Sequence, residues 1–346
     1  FGARTYLNNV RTAMTKAIRE LATPTIPWPQ FLETLPRLFR EEMSEERFVV
    51  EFLGPDMAWQ RDWAEELMGK GVLPKGSKLP GRVAKRLAWQ AFAEFTYWNR
   101  GRHLEKVGVA TVCPSAETLQ AASTALCGVF HEQYDLRQVT QETVFLWLWG
   151  FLHYLRRRGA ILHPEMATYA QDGNIYAFRK AGGRNEWLPS IGERTPRPVF
   201  LSLGQHREFD RISTSPRKSW YMVWAQALLG GGSLWPKGME EPLYREAIQK
   251  LEASGVLQRV SSAQGEVVGL NPAALTLHAD VVQLVSAQGK YRLTVPESLA
   301  ADLRHLHCLQ APGEQYEEKL RAEGWLATNF ARRDIRRVIP AEHTGL

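Results

Sequence analysis

The sequence predicts an α+β protein, mainly α. A helical region of residues 1–165 is followed by short strands and ordered loops over 166–214. Two helices with a hairpin span 215–271, and a small α/β unit spans 272–340. Two observations carry this reading. Helical periodicity dominates the first half, with its most apolar run at residues 143–155 (TVFLWLWGFLHYL). Beyond residue 166, short β-rich runs alternate with Gly and Pro punctuation. At 346 residues the chain exceeds one compact core, so two to four units of about 100–150 residues each are expected.

Between residues 19 and 66 acids outnumber bases, as in Glu41-Glu42-Met43-Ser44-Glu45-Glu46. A Gly/Pro/Lys-rich loop at 69–81 leads into a helix over 82–98. That helix is apolar on nearly every face through Leu87, Trp89, Phe92, Phe95 and Trp98, which marks it as interior. The run at 143–155 is about 13 residues long and abuts Arg156-Arg157-Arg158. A bilayer needs about 20 apolar residues, so this is read as a buried helix, and no membrane partner is expected. No signal peptide is visible. Cys113, Cys127 and Cys308 are too few and too scattered for a disulfide framework, which points to a cytoplasmic home.

In the next region Ser215-Pro216 reads as a helix start, with the helix running 217–229 to a stop at Gly230-Gly231-Gly232. A second helix begins near Pro242 with Leu243, Ala247, Ile248 and Leu251 on one face, and Gly255 ends it. Runs at 256–260 and 266–270 flank a Ser-Ser-Ala-Gln-Gly turn, and helices followed by a hairpin are the order of a winged-helix domain. Past Pro272 come strand-like runs at 281–285 and 291–295, a helix over 296–307 and a polar helix around 314–321.

Catalytic motifs are not evident. Gly230 to Gly238 (GGGSLWPKG) lacks the Ser or Thr that follows Lys in a phosphate loop, and no apolar strand precedes it. His305, His307 and Cys308 lie close together without a fourth ligand, so no metal site is assigned. Asp56, Glu65, Glu66 and Lys70 have the residue types of a nuclease site but sit in a helical context. No Gly-x-Ser-x-Gly elbow appears. The chain is therefore expected to have no catalytic residue and no cofactor of its own.

Basic groups are more informative. Net charge is +6 with a pI near 9.2, compatible with an anionic partner. Arg82, Lys85, Arg86, Arg100, Arg102 and Lys106 stand against Glu94 and Glu105, with Tyr97-Trp98 among them. Further clusters are Arg156-Arg157-Arg158, then Arg217, Lys218, Lys237, Arg245, Lys250 and Arg259, then Arg332, Arg333, Arg336 and Arg337. Binding to a polyanion needs such groups on one surface, where phosphate neutralisation releases counterions. Each cluster can equally be a solvated helix face. The chain has 12 Trp, and Trp220, Trp235 or Tyr97 either stack on bases or pack in the core.

Residues 86–109 (RLAWQAFAEFTYWNRGRHLEKVGV), 154–163 (YLRRRGAILH) and 197–201 (RPVFL) resemble stretches of very large DEAD/DEAH-box helicases of the Druantia anti-phage defence type. The ending at 341–346 (AEHTGL) resembles the lead-in to such a protein's second RecA-like motor domain. The resemblance implies that the chain is the region between two motor domains, which would supply ATP and Mg chemistry. The opening on Phe1 and the pattern running on at Leu346 agree with a segment of something larger. It also implies a zinc-ribbon-like unit that has lost most of its cysteines. Ser286-Ala-Gln-Gly289 stands for one Cys pair, and Cys308 with Ala311-Pro-Gly313 for the other.

The expected function is thus a non-catalytic, nucleic-acid-engaging region of an ATP-dependent helicase. Its partners would be DNA (RNA also fits), the flanking motor domains and other defence proteins. The expected phosphate contacts are Arg82, Lys85, Arg86, Arg100, Arg102, Arg217, Lys218, Arg245 and Lys250, with Trp220 and Trp235 also at the nucleic acid. Arg336, Arg337 and His343 would face a motor domain. Two alternatives stay open: a free-standing winged-helix DNA-binding regulator, and a protein-interaction scaffold.

Overall fold

The computed structural model describes residues 2–54, 57, 67, 70–96, 103–173, 197–213, 219–230, 238–320 and 325–332. Within these, the protein is a mixed α+β structure in which helices predominate and the sheets are small and antiparallel. No described helix is long and apolar enough to cross a membrane.

The first half holds α1 (Gly2–Arg19), β1 (Thr25–Pro27), α2 (Trp28–Glu42), α3 (Glu45–Phe52) and α4 (Leu79–Phe95). It continues with β2 (Thr111–Pro114), α5 (Ala116–Tyr134) and α6 (Gln141–Arg157). Local chemistry sets several of these starts. Ser44, Ser115 and Thr140 each accept a hydrogen bond from the backbone N–H three residues on, satisfying one donor of the first turn. Helix α4 begins at Leu79, inside the segment expected to be loop, because Pro80 suits a first turn that needs no N–H from it. It is buried on most faces, as its composition predicts.

Helix α6 is the axis of the second half. A short α7 (Ala167–Asp172) and β3 (Leu201–Ser202) follow it, then α8 (Trp220–Leu229), α9 (Glu240–Ala253), β4 (Leu257–Ser262) and β5 (Gly265–Leu270). Trp147, Phe151, Tyr221, Trp224 and Tyr244 form an aromatic core between α6, α8 and α9. The Trp147 indole donates to the Tyr244 hydroxyl at 3.3 Å, and that hydroxyl donates to the Tyr221 carbonyl at 3.0 Å. Strands β3, β5 and β4 form a sheet in that order, with Leu257 opposite Leu270. Gly255 ends α9 with φ 74°, as its position predicts.

The remaining strands are β6 (Leu275–His278), β7 (Val281–Ser286), β8 (Arg292–Pro296), β9 (His307–Cys308) and β10 (Ala311–Leu320), before a last described helix, α10 (Trp325–Arg332). Strand β6 lies between β1 and β2, pairing Leu277 with Ile26 and Val112. Residues 275–278 are thereby joined to strands from the first half of the chain. Strands β8, β7, β10 and β9 form the other sheet, in that order.

Three expectations are corrected. Residues 296–307 hold only a 3-10 turn at Glu297–Leu299 followed by turns, not a helix. The segment expected as a polar helix around 314–321 lies largely in β10, because pairing with β7 and β9 outweighs the helical preference of Glu, Gln and Lys. Helix α8 starts after Ser219, whose Oγ accepts from the Met222 N–H at 3.3 Å, so Ser215 is not its cap. The strand-like run at 175–178 lies outside the described residues.

Candidate functional site

Of the residues expected to contact phosphate, Arg82, Lys85, Arg86, Arg245 and Lys250 are described. Lys85 is exposed on α4 and lines an apolar groove of about 810 Å³ beside α2, together with Arg37 and Arg40. Arg82, one turn earlier, is half-buried. Arg86 is only 3% exposed, with its guanidinium carbon 5.9 Å from the centre of the Tyr6 ring. It belongs to the core and is withdrawn as a phosphate contact, since a buried group cannot reach a strand in solvent.

Trp220 is corrected likewise. Its ring stacks on Tyr154 at 3.7 Å and 3°, and its Nε1–H donates to the Leu309 carbonyl at 2.8 Å, so packing occupies the faces a base would need. On α9, Arg245 pairs with Glu241 at 2.7 Å, and Lys250 is exposed among Glu240, Glu241, Glu246 and Glu252. Arg100, Arg102, Arg217, Lys218, Trp235, Arg336, Arg337 and His343 lie outside the described residues, as does Tyr97.

Positive charge converges elsewhere. Strands β7 and β8 dock on the loop at 103–106 through two side chains. Gln283 Nε2 donates to the Lys106 carbonyl at 2.9 Å, and Thr294 Oγ1 donates to the Glu105 carbonyl. Between this hairpin, the loop and the end of α6 lies a polar cleft of about 300 Å³. Lys106 lines it from the loop, Arg157 from α6, and Lys290 and Arg292 from the hairpin. His103, Glu105, His153, Tyr291 and Gln310 complete the part relevant to binding.

Among the described residues of that lining Glu105 is the only carboxylate, and it is committed inward. Glu105 Oε1 accepts from the Arg156 guanidinium, which is 1% exposed, and from Thr111 Oγ1 at 2.5 Å. A second Arg156 nitrogen donates to the Phe95 carbonyl at 2.6 Å. Burial lowers the Arg157 value while Glu105 opposes the shift, and a guanidinium so placed keeps its proton at neutral pH. The three adjacent arginines thus diverge: Arg156 is in a buried pair, Arg157 is at the cleft, and Arg158 forms two hydrogen bonds to Asp210 at 3.0 and 3.1 Å.

Both cleft histidines are neutral. Burial lowers His103 from 6.5 to about 4 and puts His153 well below its ordinary value, each at most 8% exposed. The Lys106 N–H donates to His103 Nδ1 at 3.4 Å, and Arg156 Nη2 lies 3.1 Å from His153 Nδ1. With Nδ1 accepting, the His103 ring carries its proton on Nε2 and is a neutral donor. Cys113 behind them is raised by burial to about 12 and stays a thiol.

These rings make stability acid-sensitive. Below pH 6.5 the unfolded chain binds protons that folded His103 refuses until about pH 4, so stability falls as pH drops through that window. The loss at pH 5 is about 2 kcal/mol for His103, and His163, also lowered to about 4, adds in the same direction. Glu94, whose carboxyl burial raises, opposes part of it. The expected urea midpoint is lower at pH 5 than at pH 7.5; equal midpoints would refute these buried neutral rings.

Sequence reasoning placed Lys106 and Arg157 in charge clusters without naming them among the expected contacts, and it did not name Lys290, Arg292, His103 or His153 as site residues. The available signal was Lys290-Tyr291-Arg292, cations flanking an aromatic residue at a hairpin turn. Chemically the cleft offers charged and neutral donors, which suits an anion. Among the described residues no group of three His, Cys, Asp or Glu side chains is placed to hold a metal ion. No family model matches the chain, and neither a curated protein nor a solved structure matches it.

Proposed function

We propose that this chain is a non-catalytic region that grips nucleic acid within a large ATP-dependent DEAD/DEAH-box helicase, of the anti-phage defence type its sequence resembles. The observation that carries the reading is the convergence of Lys106, Arg157, Lys290 and Arg292 on one cleft, while its carboxylate is engaged by buried Arg156. Counterion release from a polyanion would drive binding there.

Topology supports the finer fold reading. The order α6, α7, β3, α8, α9, β4, β5, with sheet order β3-β5-β4, supports a winged helix whose first helix is α6 and in which the short α7 is an insertion. Adjacent hairpins β7–β8 and β9–β10 support a zinc-ribbon-like unit held by packing. Helix α9 would be the groove-reading helix of a regulator, but it carries four carboxylates against Arg245 and Lys250. Glu240 is buried and Glu252 is paired with Arg259, so Glu241 and Glu246 offset Arg245 and Lys250, and a helix face without net positive charge disfavours duplex readout. DNA, the flanking motor domains with their ATP and Mg, and other defence proteins are the proposed partners.

Fluorescence anisotropy of a labelled single strand across a salt series tests this. Four cations displacing one counterion each set the steepest slope, about −2.8 in log affinity against log salt, and phosphate shared among them gives a shallower one. The exposed pair Lys290→Gln and Arg292→Gln should flatten it by up to about 1.4. A slope near zero, or one unchanged in the double variant, would reject the cleft as the contact surface.

A further inference from the structure

We propose that the cleft receives a nucleic-acid end bearing a terminal phosphate, not a run of internal backbone. This rests on the nucleic-acid reading above and deepens it. Shape is the first argument. At about 300 Å³ the cleft sits at the small end of ligand pockets, roughly 300–1,000 Å³, where one nucleotide and not a strand is the natural occupant. One wall is interior: His103, Glu105 and His153 line it and all three are buried. A strand passing through needs an open track on both sides, whereas a wall of buried side chains makes a dead end.

Charge is the second argument. Lys106, Arg157, Lys290 and Arg292 surround this single cavity, and its carboxylate is held by Arg156. An internal phosphodiester brings one negative charge, but a terminal phosphate monoester carries about −1.5 to −2 near pH 7 and offers three acceptor oxygens. The monoester is the better match in charge and in the number of donors it can use. The neutral His103 ring adds an N–H donor without adding positive charge. Tyr291 lies beside the cations, with Lys290 Nζ 5.0 Å from its ring centre.

Four labelled single strands of one sequence are compared by anisotropy: 5′-phosphorylated, 3′-phosphorylated, hydroxyl-ended at both termini, and circular. One phosphorylated strand should bind at least tenfold more tightly than the hydroxyl-ended and circular strands. That preference should shrink to within twofold in Lys290→Gln and in Arg292→Gln, both exposed side chains, with circular dichroism confirming an intact fold. Equal affinity for all four strands overturns the end-binding inference and leaves the nucleic-acid reading standing. A phosphate preference that survives both variants also overturns it, because the phosphate then binds elsewhere. Failure to bind any strand overturns the nucleic-acid reading itself, and the inference with it.

Discussion

Replacing Gly150 with Ala is expected to destabilise the protein by about 3 kcal/mol, at the upper end of what overpacking a core costs. A Cβ at this position of α6 would lie 2.0 Å from Trp224 Cζ2 and 2.7 Å from Cε2. The indole has no room to withdraw. It is fully buried, its Nε1–H donates to the Trp147 carbonyl at 3.0 Å, and its ring stacks on Trp220, which itself stacks on Tyr154. In an exposed helix the same change would stabilise by about 1 kcal/mol through helix propensity, so the sign separates the two effects. Urea denaturation measures it, and a midpoint equal to or above that of the parent would show that the indole yields. The double variant Gly150→Ala with Trp224→Leu removes the obstructing ring. There the alanine should cost less than half of its effect alone.

The parts of the fold that were legible in the sequence are those where local chemistry decides. Gly255 and Gly265 take φ values of 74° and 111°, conformations that favour glycine, so the end of α9 and the β4–β5 turn were visible from residue type. The interior helices α4 and α6 were visible because apolar residues cover nearly all their faces. Strand β10 was not. Its Glu-Gln-Tyr-Glu-Glu-Lys composition favours a helix, and pairing with the neighbouring β9 and with β7 from further back in the chain makes it extended.

The site was legible only in part for a related reason. Adjacent positions at a helix end point about 100° apart, so the single run Arg156-Arg157-Arg158 reaches three environments. The cleft also joins Lys106 to a hairpin more than 170 positions away, the bond from Gln283 to the Lys106 carbonyl spanning 177 residues. No local period carries that information. Charge clustering in the sequence therefore named cations without showing which of them share a surface.

The same long-range joint gives the second large effect. Arg156→Met is expected to cost about 3–5 kcal/mol, because it leaves the Glu105 carboxylate buried without its cation and removes the donor to the Phe95 carbonyl. Glu105→Gln should cost less, since the amide oxygen still accepts from Arg156, although the guanidinium then lacks a counter-charge. A full cycle with Glu105→Leu and Arg156→Met together separates pairing from burial. Two apolar side chains of similar size leave neither charge stranded, so the double variant should recover most of the loss in urea denaturation. Simple additivity of the two single losses would show that the pair is not coupled.

The functional consequence follows through the backbone. Carbonyls of Glu105 and Lys106 are the acceptors that seat the β7–β8 hairpin, and the hairpin carries Lys290 and Arg292. A Glu105 released towards water would shift that loop, and the hairpin cations would no longer face Arg157. Arg156→Met should therefore weaken single-strand binding although Arg156 is buried, while the stability-restored double variant should regain it. Binding that stays weak in the restored double variant would mean that Arg156 contributes its field to the cleft, and not only the position of its neighbours.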